Sequence, residues 1–160
     1  MTLTSRVPAV IDYLVTTFTA ASTLGAATPP VAVYDGPVET DAPAQLVLWV
    51  GMDDPDSEEA PIGAESESEW GSLGALARNE QITVHCVAEA WSGPTDVATV
   101  RTSAFNIVAA VETLLRADVN LGGTLPSGWC EVTGMQLRQN NVSQGAVARV
   151  AFHIDCRARI

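Results

Sequence analysis

Apolar residues recur at helical spacing in two parts of the sequence. In the first, Val7, Ile11, Leu14, Phe18 and Ala21 are separated by four, three, four and three residues, which places them on one side of a helix. The second run extends to about Asp118, with apolar residues at Val97, Val100, Ala104, Ile107, Val111 and Leu114. We therefore expect two amphipathic helices that each bury one face.

Five other segments have the character of β-strands. Residues 31–34 and 44–50 are short and apolar, and the second is apolar enough to be covered on both faces. Residues 81–90 alternate between apolar and polar positions. The most regular alternation runs from Ala148 to Ile160, where the polar positions on the opposite face are Arg149, His153, Asp155, Arg157 and Arg159.

The strand predicted over residues 129–139 contains a change of phase. Cys130 and Val132 share one parity, whereas Met135 and Leu137 take the other, and Gly134 lies between the two pairs. A glycine at such a position indicates a β-bulge. Residues 140–145 then predict a hairpin turn into the last strand.

Strands and helices do not alternate strictly along the chain. This order favours an α+β domain with a mostly antiparallel sheet of about five strands, covered by two amphipathic helices. The length of 160 residues corresponds to one domain, residues 1–160.

Residues 53–69 differ from the rest of the chain. This acidic segment, DDPDSEEAPIGAESESE, contains two prolines, no basic residue and no apolar period, so we expect a long mobile loop. Its carboxylates are candidates for a surface that repels DNA: Asp53, Asp54, Asp56, Glu58, Glu59, Glu65, Glu67 and Glu69.

The charge balance is strongly acidic. The chain has 19 Asp and Glu residues against 8 basic residues, all of them arginine, and a formal net charge of −11. This charge disfavours binding to nucleic acids or to an anionic membrane surface. Only 17% of the residues are charged, against about 25% in typical soluble chains, which fits a surface partly covered by other protein.

No familiar targeting or catalytic pattern is found in the sequence. The first residues lack the pattern of a signal peptide, and the three cysteines form no CxxC pair, so we expect a reducing compartment without disulfides or a zinc site.

His85 and Cys86 are neighbours in a strand and point to opposite faces. His153 is two residues from Asp155 and could contact it, but no Ser or Cys nucleophile shares that face.

Calcium binding is an alternative for the acidic segment. Asp54, Asp56, Glu58 and Glu65 match positions 1, 3, 5 and 12 of a calcium loop, but Glu59 stands where such loops need glycine. A solvated acidic loop is favoured, and we expect no enzyme activity, cofactor or metal.

The last strand and one tryptophan are the candidate interface. Arg149, Arg157 and Arg159 form a stripe suited to ion pairs with carboxylates of a neighbouring copy. The candidate acceptors are Glu39, Asp41 and the acidic segment 53–69. Trp70 has polar neighbours and is of the residue type most enriched at binding hot spots, so it joins the candidate interface.

Several of these features together resemble a known family. An N-terminal amphipathic helix leads to Val33-Tyr34-Asp35-Gly36, and VHCVAEAWSG continues through Gly93-Pro94-Thr95-Asp96 into a helix ending in VETLLRAD. Leu121-Gly122-Gly123 and two C-terminal strands follow. This layout resembles the tail terminator, or tail-completion, proteins of long-tailed bacteriophages and related phage-like particles, over most of the chain except residues 53–69.

The resemblance implies a structural virion protein without catalytic residues. Subunits of this kind form a homohexameric ring at the head–tail junction, after assembly in the host cytoplasm. The ring ends polymerisation of the tail tube protein and presents a face to the head connector or stopper, while DNA passes through. A head-completion, neck or minor tail protein is the alternative within the same particle. A calcium-dependent module or small enzyme using residues 53–69 or His153 is the alternative outside it.

Overall fold

The computed structural model describes residues 4–27, 29–38, 44–72, 74, 76–93 and 96–160, which form a mixed α+β domain. The helices are α1 (Val7–Ala20), α2 (Ser22–Gly25) and α3 (Val97–Ala117). The strands are β1 (Ala32–Asp35), β2 (Leu46–Val50), β3 (Ala64–Trp70), β4 (Arg78–Ser92), β5 (Trp129–Val142) and β6 (Gly145–Arg159). The predicted fold class is confirmed, with one strand and one short helix more than expected.

The six strands form a single sheet in the order β1-β2-β4-β6-β5, and β3 pairs with β4. Only β1 and β2 are parallel, and all other described pairs are antiparallel. β2 pairs with residues 86–90 of β4 and β3 pairs with residues 78–84, so the two lie end to end along one side of β4. β6 lies on the other side of β4, and β5 lies beyond it.

Helices α1 and α3 cover one face of the sheet and enclose the main core. Leu14 and Phe18 of α1 are fully buried, as the predicted stripe requires, and so are Phe152 and Ile154 of β6. Burying one such side chain stabilises a fold by roughly 1.5–3 kcal/mol. The alternating strands predicted from sequence therefore direct their apolar positions towards the two predicted helices.

Hydrogen bonds that involve side chains hold both ends of α3. At its start, the carboxylate of Asp96 accepts a bond from the backbone N–H of Thr99 at 3.1 Å. Beyond its end, the Tyr13 hydroxyl of α1 donates to Asp118 at 2.5 Å. Gly122 then passes close to Tyr13 with a φ of +61°, and a Cβ there would lie 2.8 Å from the ring, so any larger residue would be strained at this position.

The bulge predicted in β5 is confirmed. The register of β5 against β6 shifts between Thr133 and Met135, and Gly134 has a φ of +50°. Cys130 lies opposite Cys156 on one side of the shift, and Leu137 lies opposite Val150 on the other. Since Cys156 and Val150 are both buried in the main core, the bulge lets the apolar side chains of both halves of β5, Cys130 and Leu137, point towards the helices.

The prediction of one continuous loop over residues 53–69 was wrong for its second part. Residues Ala64–Trp70 form β3, and a loop occupies only residues 53–63. β3 is exposed along almost its whole length, so the strand depends on backbone pairing with β4 rather than on burial of apolar side chains. An apolar period was therefore not available to reveal it.

Within the described ranges, no helix is long and apolar enough to span a membrane.

Candidate functional site

The sheet face opposite α1 and α3, which we call the helix-free face, carries most of the candidate residues. Strand register arranges its side chains in rows that cross the sheet. One row consists of Glu67, Gln81, Arg157 and Trp129 on β3, β4, β6 and β5. A parallel row next to it contains Glu69, Asn79 and Arg159. Residues far apart in the sequence are thereby brought together at one end of this face.

The loop that joins β2 to β3 leaves and rejoins the sheet at His85. The carbonyl of His85 accepts hydrogen bonds from the backbone N–H groups of Gly51 and Met52, at 2.8 and 3.1 Å. The N–H of His85 donates to the carbonyl of Gly63 at 3.0 Å. The ends of the loop are therefore adjacent, as in an Ω-loop. We call residues 53–63 the acidic loop.

Two carboxylates organise the acidic loop from within. Asp53 accepts a hydrogen bond from the N–H of Ile62 at 2.9 Å, which ties the two arms of the loop together. Asp54 accepts one from the N–H of Asp56, also at 2.9 Å. This backbone hydrogen bond, followed by the hydrogen bond from Arg138, holds the pKa of Asp54 below its ordinary value.

Two arginines of the helix-free face anchor the acidic loop. Arg138 of β5 contacts Asp54 at 3.1 Å, in a pair that is largely exposed. Arg149 of β6 lies between Asp56 and Glu89 and forms an ion pair with each. Burial alone would lower the pKa of Arg149, but hydrogen bonds to Asp56 and Glu89 outweigh it and raise the pKa.

The sequence analysis proposed carboxylates of a neighbouring copy as acceptors for Arg149. Within the described chain, Arg149 pairs with Glu89 and Asp56 of its own chain. The reason is geometric, because the acidic loop folds back across β4 and β6 instead of extending away from the sheet. The other predicted acceptors, Glu39 and Asp41, lie outside the described residues.

A small apolar cluster on the helix-free face borders the acidic loop at Val87. It consists of Val47, Trp49, Met52 and Val87, and Trp49 retains only 7% of its exposure. A narrow cavity of about 30 Å³ separates Asp53, Asp54 and Pro55 of the loop from Val87 and Ala151 of the sheet. The loop thus lies over Val87 and Ala151. β2 is buried on both faces, as predicted.

The two histidines meet near the centre of the helix-free face. The rings of His85 and His153 are 4.7 Å apart and nearly perpendicular, and Nε2 of His85 is 3.1 Å from Glu65. Asp155 accepts hydrogen bonds from Thr83 and Thr133, each at 2.8 Å, and not from His153. The contact between His153 and Asp155 that the sequence allowed is therefore replaced by two threonine contacts.

His85 and Cys86 point to opposite faces, as predicted. Cys86 is buried in the main core, and burial raises the pKa of its thiol to about 12. A thiol with so high a pKa holds almost no thiolate near neutral pH.

A polar cleft occupies the end of the helix-free face that the acidic loop leaves open. It has a volume of about 600 Å³. Glu67 and Glu69 of β3 form one wall, and Arg157 and Arg159 of β6 form the other. Asn79 and Gln81 of β4 lie between the walls, and Trp129 is at the margin with the Arg157 guanidinium 5.4 Å from its ring. Within the described residues, no ion pair joins the two walls.

The four tryptophans occupy different environments. Trp49 is covered, whereas Trp91 and Trp129 are about two-fifths exposed. Trp70, the predicted interface residue, is 67% exposed and lies on the helix side of β3, with Arg78 5.7 Å from its ring. The structure therefore separates Trp70 from Arg157 and Arg159, which the prediction grouped with it.

The eight carboxylates of the acidic segment fall into three groups. Asp53, Asp54 and Asp56 fold and anchor the acidic loop, and Glu58 and Glu59 are exposed in its middle. Glu65, Glu67 and Glu69 lie on β3. In the part of the chain that the structure describes, no group of three or more His, Cys, Asp or Glu residues is arranged to hold a metal ion. Asp54 and Asp56, the first predicted calcium ligands, contact arginines instead.

Sequence reasoning missed the cleft and the role of Asn79 and Gln81. The only available signal was the strict alternation of glutamate and serine over residues 65–69, which is compatible with an exposed strand. No protein-family profile matches this chain, and no curated protein matches it in sequence.

Proposed function

We propose that this chain is a structural ring subunit, a tail terminator that caps the tail tube of a long-tailed phage or phage-like particle. In this proposal it ends polymerisation of the tube protein and joins the tail to the head connector. The motifs that resemble the tail terminator family support this assignment, and so does the α+β fold. The observation that carries it is the long open edge of the sheet at β5.

The strand β5 presents 14 residues along this edge. Within the described ranges it pairs only with β6, and its last seven residues, Gln136 to Val142, are exposed except for Leu137. Soluble proteins usually protect such edges with lysines, prolines, β-bulges or a covering element. Beyond the bulge at Gly134, this edge has no lysine or proline, and Arg138 is the only charged residue from Gln136 to Val142, which fits pairing of this part of the edge with another protein chain.

A second exposed edge lies on the opposite side of the sheet. β3 pairs only with β4 among the described strands and is exposed on both faces. A contact from the β5 side of one copy to the β3 side of the next is heterologous, and such contacts generate a ring when the rotation closes. Two different edges on opposite sides are therefore compatible with a closed ring of copies.

The charge of the chain fits a channel for DNA. Six copies with a net charge of −11 carry a formal charge of −66. Glu58 and Glu59 are exposed in the acidic loop and contribute negative charge that no described arginine neutralises. A wall of this kind repels a polyanion, so DNA passes without binding.

A charge variant of the β5 edge tests the proposed ring. Gln136→Lys with Asn140→Lys places two positive charges on exposed positions and leaves the core untouched. We expect normal folding and loss of the ring, measured by native mass spectrometry with and without the tube protein of the same particle. Asn106→Lys with Thr113→Lys adds the same two charges at exposed positions of α3, is the matched control and is expected to assemble normally.

Deletion of the chain from the particle tests the role of the ring. Tubes of uncontrolled length are expected if the chain is the terminator. Tails of normal length that fail to join heads would contradict this role and support the head-completion or neck alternative. Particles without any tail defect would contradict both.

A further inference from the structure

The polar cleft has two walls of opposite charge that do not satisfy each other. In neighbouring strands, Cα atoms of one row are about 4.8 Å apart, so Glu67 and Arg157 are separated by about 10 Å across β4. The same holds for Glu69 and Arg159. Of the described carboxylates, none lies within 4.0 Å of the guanidinium of Arg157 or Arg159. Arg138 and Arg149, by contrast, are both engaged by the acidic loop.

We propose that this cleft is a self-recognition surface, at which the helix-free faces of two copies associate about a two-fold axis parallel to β4. The proposal concerns the pairing of two copies and does not rest on the proposed ring. It commits to one occupant, a second copy of this chain, because the charges of the cleft complement themselves under this symmetry.

The symmetry argument follows from the register. The carboxylates lie one strand to one side of β4, and the guanidiniums lie one strand to the other side, in the same two rows. A half-turn about an axis above and parallel to β4 exchanges the two sides and keeps the position along the strand. Glu67 of each copy then faces Arg157 of the other, and Glu69 faces Arg159. Four ion pairs form reciprocally.

The floor of the cleft is also self-complementary. Asn79 and Gln81 lie on β4 itself, so the half-turn places each amide opposite its own equivalent. A side-chain amide carries both a donor and an acceptor, so identical amides can hydrogen-bond to each other. Sheets that pack face to face are about 10 Å apart, a distance that facing glutamate and arginine side chains can bridge.

The acidic loop limits where this contact can form. It stands over the other half of the helix-free face, where Asp54 and Asp56 contact Arg138 and Arg149. The contact is therefore confined to the cleft end. The axis is close to parallel to β4 at the cleft and tilts away from the sheet towards the loops, so that the two faces diverge there. Such a small contact corresponds to a weak association that depends on concentration.

Reciprocal charge reversal tests the proposal. One variant carries Glu67→Arg and Glu69→Arg, and the other carries Arg157→Glu and Arg159→Glu. All four positions are exposed, and folding is checked by circular dichroism. Each variant alone would bring like charges together, and we expect its pairing to be weakened about tenfold or more in sedimentation velocity over a concentration series. An equimolar mixture is expected to restore pairing in a one-to-one complex.

The ionic strength is set at about 0.15 M, where the Debye length is about 8 Å. The net charges of the two bodies are then largely screened, while contacts at ion-pair distance are retained. The matched control reverses the exposed pair on α3, Glu112→Arg with Arg116→Glu, and is expected to pair like the wild type.

Three results would overturn the proposal: a wild type that stays monomeric over the whole series, single variants that pair like the wild type, or a mixture that fails to restore pairing. The proposed ring is judged separately, by the β5 edge variant and the tube protein. If the pairing at the cleft is absent, the ring contact at the β5 edge can still be measured, and the reverse also holds.

Discussion

The two faces of the sheet are built on different principles. The face towards α1 and α3 is a continuous apolar core in which residues such as Phe152, Ile154 and Leu14 are fully buried. Among the described residues, the helix-free face has a small apolar cluster around Trp49, which borders a loop that is fixed by ion pairs and hydrogen bonds. Most other side chains on that face are polar, apart from an apolar row of Trp91 and Val147 at the end away from the cleft.

The apolar core and the proposed recognition surface therefore lie on opposite sides of the same strands. In β6, Phe152 and Ile154 point into the core, while His153 and Arg157 lie on the helix-free face. Period-two alternation produces this separation directly. Substitutions on the core side should change the free energy of unfolding, and substitutions of exposed residues in the polar cleft should change association instead.

The largest expected effect lies in the core. Phe152→Ala removes a fully buried ring, and we expect it to lower the free energy of unfolding by about 3–5 kcal/mol. Gln81→Ala, on the helix-free face of the neighbouring strand, is exposed and should change it by less than about 0.5 kcal/mol. Urea denaturation measures both. Similar values for the two variants would contradict the division between the faces.

The anchors of the acidic loop should differ from each other. Arg149→Met leaves the buried carboxylate of Glu89 without its partner, and we expect a loss of about 1–3 kcal/mol in the free energy of unfolding. Arg138→Met breaks only an exposed pair and should cost less than about 1 kcal/mol. Urea denaturation of both variants provides the measurement, and an Arg138 effect equal to that of Arg149 would show that burial of Glu89 does not matter.

Release of the acidic loop should be visible at Trp49. Asp54→Asn with Asp56→Asn removes the carboxylates that contact Arg138 and Arg149, and we expect water to reach Val87, where the cluster that contains Trp49 borders the loop. Tryptophan emission should shift to longer wavelength, with Trp49→Phe as the control that removes the change. An unchanged spectrum would mean that the loop stays closed without these ion pairs.

The smallest effect is a pH dependence of the same loop. The pKa of Asp54 is lowered by the backbone N–H of Asp56 and by Arg138. The ionised carboxylate therefore stabilises the folded loop fully at pH values above its ordinary pKa of 3.8. That contribution is lost as the pH falls through the lowered pKa. The protection of the amides near Ile62, measured as the exchange rate relative to the intrinsic rate at each pH, should therefore fall in acid, and Asp54→Asn should remove this pH dependence. Protection that falls as the pH rises would contradict the sign.

Much of the fold could be predicted from the sequence because buried apolar residues recur at the spacing of a helix or a strand. The stripe ending at Phe18, the alternation of β6 and the phase change at Gly134 all correspond to features of the structure. β3 shows no such spacing, because its side chains are exposed and the strand is held by backbone pairing with β4.

The candidate site was less accessible because its contacts join distant residues. Arg149 meets Asp56 across 93 positions of the chain, and the cleft requires the register of four strands at once. Composition correctly drew attention to arginines and carboxylates, but only the folded sheet decides which of them pair within one chain. Arg157 and Arg159 stay available for a partner for that reason.

The most direct test of the proposed function is native mass spectrometry of the purified chain in the presence of its tube protein, with electron microscopy of the same sample. The account predicts a closed ring at the tube end, with tubes that stop growing. Six copies of the 16.8 kDa chain would have a mass of about 101 kDa. A chain that stays monomeric with and without the tube protein, while tubes grow unchecked, would contradict it.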